Sequence, residues 1–169
     1  QAGVGGFAAA VCGYLWERLG ARRPRFVCVE PVAADCLYRT AVAGRMVTVP
    51  GDLDTVMGCL SCAEASTEGW TILNAGATAF LAIEDVLAIA AMKALADPRP
   101  GVVLGESGAA GLAGLMAVVS DEAARELIGL ERSSRVLLFG TEGANDPARY
   151  EELVGYAPEE VSGRGRSTR

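Results

Sequence analysis

Gln1-Ala2-Gly3-Val4-Gly5-Gly6-Phe7-Ala8-Ala9-Ala10-Val11 sets three glycines directly before a helical pattern in which Phe7, Val11, Leu15 and Leu19 recur every four residues. A glycine-rich entry lets backbone N–H groups approach an anion with no Cβ in the way, and the positive end of the helix adds attraction. The stretch therefore reads as a candidate phosphate cradle. The competing structural reading is a glycine turn that packs a helix closely on a strand.

Working outward, Gly20 stops this helix, and Arg25–Glu30 (RFVCVE) is a short apolar run rich in β-branched and aromatic residues, ended by Pro31. It is expected to be a buried strand. A helix is expected over 33–43, then a loop around Pro50-Gly51-Asp52, with 54–62 ambiguous and a short helix at 68–74. Strand expectations follow at 78–83 (TAFLAI), 102–104 and 135–139 (RVLLF), separated by helices over 84–96, 107–119 with Ser107 as cap, and 121–128. Pro147 suits the first turn of a closing helix to about Val154, and disorder is expected from Gly155 to Arg169. Strands separated by helices predict an α/β fold, a parallel sheet with helices on both faces, because parallel neighbours need crossover connections.

Length and composition fit one domain. The chain has 169 residues, 51% of them hydrophobic, and a net charge of -6. Its arginines are scattered apart from Arg22, Arg23, Arg25 and the final stretch, so no nucleic-acid partner is expected. No apolar run reaches the ~20 residues of a membrane span, and no membrane partner is expected. Five cysteines, an odd count in a chain able to bury a core, point to reduced thiols and a cytoplasmic setting. The chain opens at Gln1 without an initiator Met or a leader pattern, which reads as a fragment.

Several residues could carry chemistry. Gly3-x-Gly5-x-x-Ala8 also matches the dinucleotide fingerprint, with Glu30 about twenty residues on where a ribose-binding acid belongs. Composition and spacing alone leave NAD, FAD and pyridoxal phosphate (PLP) open. Glu106 and Ser107 precede a helix of small residues, where capping accounts for both. Thr141 and Glu142 follow the last expected strand, at the sheet edge where open α/β folds bind ligands, and a hydroxyl there either bonds a cofactor ring nitrogen or caps the loop. Cys59 and Cys62 have redox spacing, but a zinc site needs about four ligands and there is neither a histidine nor a second such pair, so no metal is expected. Without histidine, Ser-His and Cys-His nucleophile systems are excluded within the chain. Asp52 with Asp54, and Glu151 with Glu152, read as solvated pairs.

Taken together, QAGVGGFAAAV at 1–11, VEP at 29–31, GDLDTVMGCLSCAE at 51–64, GESGAAGLAGL at 105–115 and FGTEGANDP at 139–147 resemble the diaminopropionate ammonia-lyases. The resemblance runs from Gln1 to about Tyr150; the glycine loop alone is shared with threonine dehydratases. It implies PLP fold-type II (tryptophan synthase β-like), with 1–154 as the C-terminal portion of a PLP-binding lyase. The implied reaction is elimination from 2,3-diaminopropionate to pyruvate and ammonia, by a homodimer acting on a small amino acid. It further implies that Gly3, Val4, Gly5 and Gly6 hold the PLP phosphate, that Thr141 bonds the pyridine nitrogen, and that Glu106 and Ser107 lie near the cofactor. The family's Schiff-base lysine and catalytic acids lie upstream of the glycine loop. No catalytic residue is therefore expected here, and Lys93, the single lysine, reads as a solvated helix residue.

Overall fold

The computed structural model describes residues 1–164. Helix α1 (Gly6–Leu19) follows the glycine loop and leads through one tight turn to strand β1 (Val27–Pro31). Helices α2 (Cys36–Ala43) and α3 (Thr67–Gly76) precede strand β2 (Ala79–Ile83), and α4 (Asp85–Ala96), α5 (Ala110–Ser120), α6 (Glu122–Ile128), α7 (Pro147–Val154) and α8 (Pro158–Arg164) complete the order. β1 and β2 pair in parallel, from Val27 opposite Ala79 to Pro31 opposite Ile83.

The pleat distributes these strands between two cores. Val29 and Ile83, with Val27 and Leu81, face a cluster built from α4, α5 and α7. Cys28 and Phe80 face the opposite cluster, built from α1, α2 and α3 around Cys12, Leu37 and Leu73. The sheet therefore has helices on both faces, as the alternation of strands and helices predicted.

Three expected features differ. Residues 102–104 and 135–139 form no ladder, and the paired sheet among the described residues has two strands. A strand exists only with a partner for its N–H and C=O groups, and no described segment forms a ladder with Val136–Phe139, where Leu137 is 68% exposed. The helix expected from residue 33 begins only at Cys36, after a tight turn over Val32–Ala34. Disorder expected from Gly155 meets a helix instead: Val161 on α8 is fully buried against the α4–α7 cluster, and that burial orders the segment. Residues 165–169 of that expected tail lie outside the described residues.

Glu30 decides one of the functional alternatives. Its side chain is fully buried. Its carboxylate accepts the amides of Leu37 and Tyr38, both at 2.8 Å, and the Cys36 thiol at 3.5 Å. The spacing of a ribose-binding acid thus belongs to a residue that satisfies the first turn of α2 and faces no cavity, which corrects the dinucleotide reading. Burial pushes this carboxyl up to about 7 against the pull of those donors. A carboxyl with a raised folded pKa keeps its proton longer in the folded than in the unfolded chain, so its contribution to stability falls as pH rises from about 4.5 to 7. Glu30→Gln cannot ionise. Its stability relative to the wild type is therefore expected to improve by up to about 3 kcal/mol between pH 4 and pH 8, read by chemical denaturation. A difference that stays flat with pH would refute this account.

Candidate cofactor site

The glycine loop, the turn at 59–62, Ser107 and the segment 141–145 converge on one cavity of about 420 Å³, a volume in the range of small-ligand sites. Gly3, Val4, Gly5, Gly6 and Thr141, the five residues singled out in the sequence, all line it. Elements more than a hundred residues apart meet here because α5 packs on both strands and brings its N-terminal turn against segment 141–145.

The loop's backbone is shaped for an anion. Gly5 adopts φ +94°, a conformation L side chains rarely take, and ends the loop where α1 begins. Gly3 lies against the 59–62 turn, where an added Cβ would come within 2.9 Å of Cys62 Sγ and 3.2 Å of the Cys59 carbonyl. No side chain caps α1. Among the described residues, the N–H groups from Gly3 to Ala8 find no acceptor, whereas the carbonyls of Val4 and Gly5 accept from Ser66 and Ala9. A row of unpaired donors at a helix start is a standing anion site. No Lys or Arg among the described residues lines the cavity, so a phosphate there would be held by main-chain donors and the helix dipole.

Thr141 stands across the same cavity, with its Oγ1 accepting from Gln1 Nε2 at 2.8 Å. Glu142 fastens that segment. One carboxylate oxygen accepts the amides of Ser107 at 2.8 Å and Gly108 at 2.9 Å; the other accepts Cys59 Sγ at 3.3 Å and Asn145 Nδ2 at 3.5 Å. Its carbonyl accepts the Gly105 amide at 3.1 Å. Ser107, expected to cap the helix, instead accepts the Cys59 amide at 3.1 Å, and the turn before α5 is satisfied by Glu142. The correction has a plain cause: an ionised carboxylate is the stronger acceptor. Ser107 lines the cavity and Glu106 does not.

The chain's thiols are all free, and both Cys59 and Cys62 line the cavity. The hydrogen bond to Glu142, and then burial, push the Cys59 thiol up, which keeps it protonated and a poor nucleophile. Lys93 is exposed on α4 and lies outside the cavity. Sequence reasoning missed Gln1 altogether and named Glu142 without its partners, which lie 34 and 35 residues away. No local spacing signals such a contact.

A phosphorylated pyridine fits this donor set. The unpaired amides suit its phosphate, and a neutral hydroxyl suits a ring nitrogen.

Comparison with known proteins agrees with that chemistry. The chain is 39% identical over 160 residues to diaminopropionate ammonia-lyase of Escherichia coli K12, and 38% identical over 163 residues to that of Salmonella typhimurium LT2. Each match takes in 91% of this chain and 40% of the relative, so the chain spans about two fifths of the length of these curated relatives. Among solved structures, Escherichia coli diaminopropionate ammonia-lyase in complex with an aminoacrylate-PLP azomethine reaction intermediate superposes with a TM-score of 0.82 at 38% identity, covering 91% of this chain and 40% of that one. Maize serine racemase superposes at 0.74 with 20% identity over 89% of this chain and 45% of its own, a likeness of fold alone. Residues 1–141 match the family model described as pyridoxal-phosphate dependent enzyme, and the chain belongs to that family, with PLP as its cofactor and a fold-type II framework.

Proposed function

We propose that this chain is the cofactor-holding part of a diaminopropionate ammonia-lyase, in which elimination from 2,3-diaminopropionate gives pyruvate and ammonia. The observation that carries the reading is the pairing, across one cavity, of the unpaired amides of residues 3–8 with the Thr141 hydroxyl. Identity of 38–39% to lyases of that name supports the substrate.

PLP, when bound, supplies an electron sink for bonds broken at an amino acid's α-carbon. The chain's residues have the holding roles. Gly3, Val4, Gly5 and Gly6 present main-chain donors to the phosphate, and Thr141 meets the ring nitrogen as a neutral partner. Glu142 is a positioning residue that ties segment 141–145 to the turns at 59 and 107. The resemblance supports a homodimer acting on a small amino acid in the cytoplasm; no helix among the described residues is long and apolar enough to cross a membrane.

Forming the covalent link to PLP requires a lysine amine at the aldehyde, and the one lysine, Lys93, is on the exposed side of α4. Purified 1–169 is therefore expected to bind PLP without turning over. Titration followed by PLP absorbance should show Thr141→Val weakening binding about tenfold, the order of one good hydrogen bond in a screened site. In the same preparation diaminopropionate should yield no pyruvate above background. Unchanged binding in Thr141→Val would overturn the ring placement, and appreciable pyruvate release would overturn the division of roles.

A further inference from the structure

We infer that the Gln1 carboxamide fixes the direction of the Thr141 hydroxyl proton, and through it keeps the cofactor's ring nitrogen unprotonated; this rests on the placing of that nitrogen at Thr141 proposed above.

A hydroxyl has one proton and two lone pairs, and a carboxamide N–H only donates. With Gln1 Nε2 donating to Thr141 Oγ1 at 2.8 Å, one lone pair is taken and the hydroxyl's own proton is directed away from Gln1. Both residues line the same cavity, where the hydroxyl meets an occupant with its proton or its one remaining lone pair, so the bond from Gln1 tilts it toward donating. A group that receives a proton there must bring a free lone pair. An unprotonated pyridine nitrogen does so, and a protonated one does not.

Both ends of the contact are anchored. The Ala2 amide donates to the Val29 carbonyl of β1 at 2.9 Å, which holds the backbone next to Gln1 against the sheet. At the other end, Glu142 clamps the residue after Thr141 through its amide and thiol partners.

The remaining groups in the cavity agree. Among the described residues its titratable lining groups are the Cys59, Cys62 and Glu142 side chains and the Gln1 α-amino group. Glu142, the one carboxylate among them, already accepts from Ser107, Gly108, Cys59 and Asn145. Among the described residues no lining carboxylate is left without donors to take up a ring N–H. An engaged carboxylate and an oriented hydroxyl thus bias the ring nitrogen the same way.

The test loads the protein with PLP labelled with ¹⁵N in the ring and reads the nitrogen's NMR signal as a function of pH. The wild-type signal is expected at the downfield position of an unprotonated, hydrogen-bonded pyridine, unchanged across neutral pH. Gln1→Glu has nearly the same shape but accepts the Thr141 proton, which turns Oγ1 toward the ring as an acceptor. Its signal should move upfield to that of a pyridinium. Gln1→Leu removes the donor without supplying an acceptor and releases the hydroxyl to rotate; its signal should titrate with pH. This variant carries the test where Gln1→Glu fails to fold. Thr141→Val separates the two levels of inference. If Thr141→Val moves the signal while the Gln1 variants leave it at the wild-type position, the role of Gln1 is overturned and the Thr141 placing stands. If Thr141→Val also leaves it unmoved, the placing itself falls, and this inference with it.

Discussion

Gly6→Asp is expected to abolish PLP binding while leaving the thermal stability of the chain close to that of the wild type. A Cβ at Gly6 meets nothing within 4 Å, and Gly6 is the first residue of α1, so the substitution carries no packing cost. An acidic residue in a first helical turn is favourable by about 0.3–1 kcal/mol. The same carboxylate would nevertheless stand at the mouth of the amide row and compete for its donors. Two like charges about 4 Å apart in a screened site repel by about 4 kcal/mol, which corresponds to roughly a thousandfold in Kd. PLP titration and a thermal melt on the same sample decide it. Binding that survives would place the phosphate elsewhere; a large drop in melting temperature would show that the loop's role is structural.

The second large effect concerns the fold and is expected at Gly114→Leu. Gly114 lies on the face of α5 that meets the sheet, where an added Cβ would come within 2.6 Å of Val29 Cγ2 and 3.3 Å of Leu81 Cδ2. Leucine is the better helix former by roughly 0.8 kcal/mol. Overpacking typically costs about 1–3 kcal/mol, and here the obstacle includes a β-branched residue fixed in a strand, so the clash dominates. A net loss near the upper end would lower the melting temperature by about 5–10 °C in a chain of this size. Gly13→Ala is the matched control: its Cβ would sit at 3.7 Å from Ile72 Cγ2, an ordinary contact, so the propensity gain should remain. Equal melting temperatures in Gly114→Leu and the wild type would mean that α5 can move off the sheet.

What the sequence revealed was set by the range of each interaction. RFVCVE and TAFLAI could be read because strand character is written into consecutive residues, and both strands form. The glycine loop was equally legible, since its backbone shape and the helix after it are neighbours in the chain. RVLLF has the same local character as those strands yet stays unpaired, because a ladder depends on a second segment that the first cannot encode. Ser107 followed the rule for a local cap and lost to Glu142, a stronger acceptor that arrives from 35 residues away. Glu30 met the spacing of a nucleotide-binding acid, but its oxygens are taken by α2. Thr141 could be picked out from its place after an apolar run; its contact with Gln1, at a separation of 140 residues, could not.

The amide row at the glycine loop also determines how this site can be probed and how it can drift. Side-chain truncation scanning is blind to a ligand held by N–H groups, since alanine at Val4 leaves the peptide bond there intact. Replacing single amides with esters, which deletes one donor and keeps the side chain, would map the contacts one by one. For the same reason Val4, whose side chain is half exposed, is free to vary among relatives with no loss of grip on the phosphate. The grip depends on a curve of the main chain, so it should persist through sequence change that spares Gly3 and Gly5.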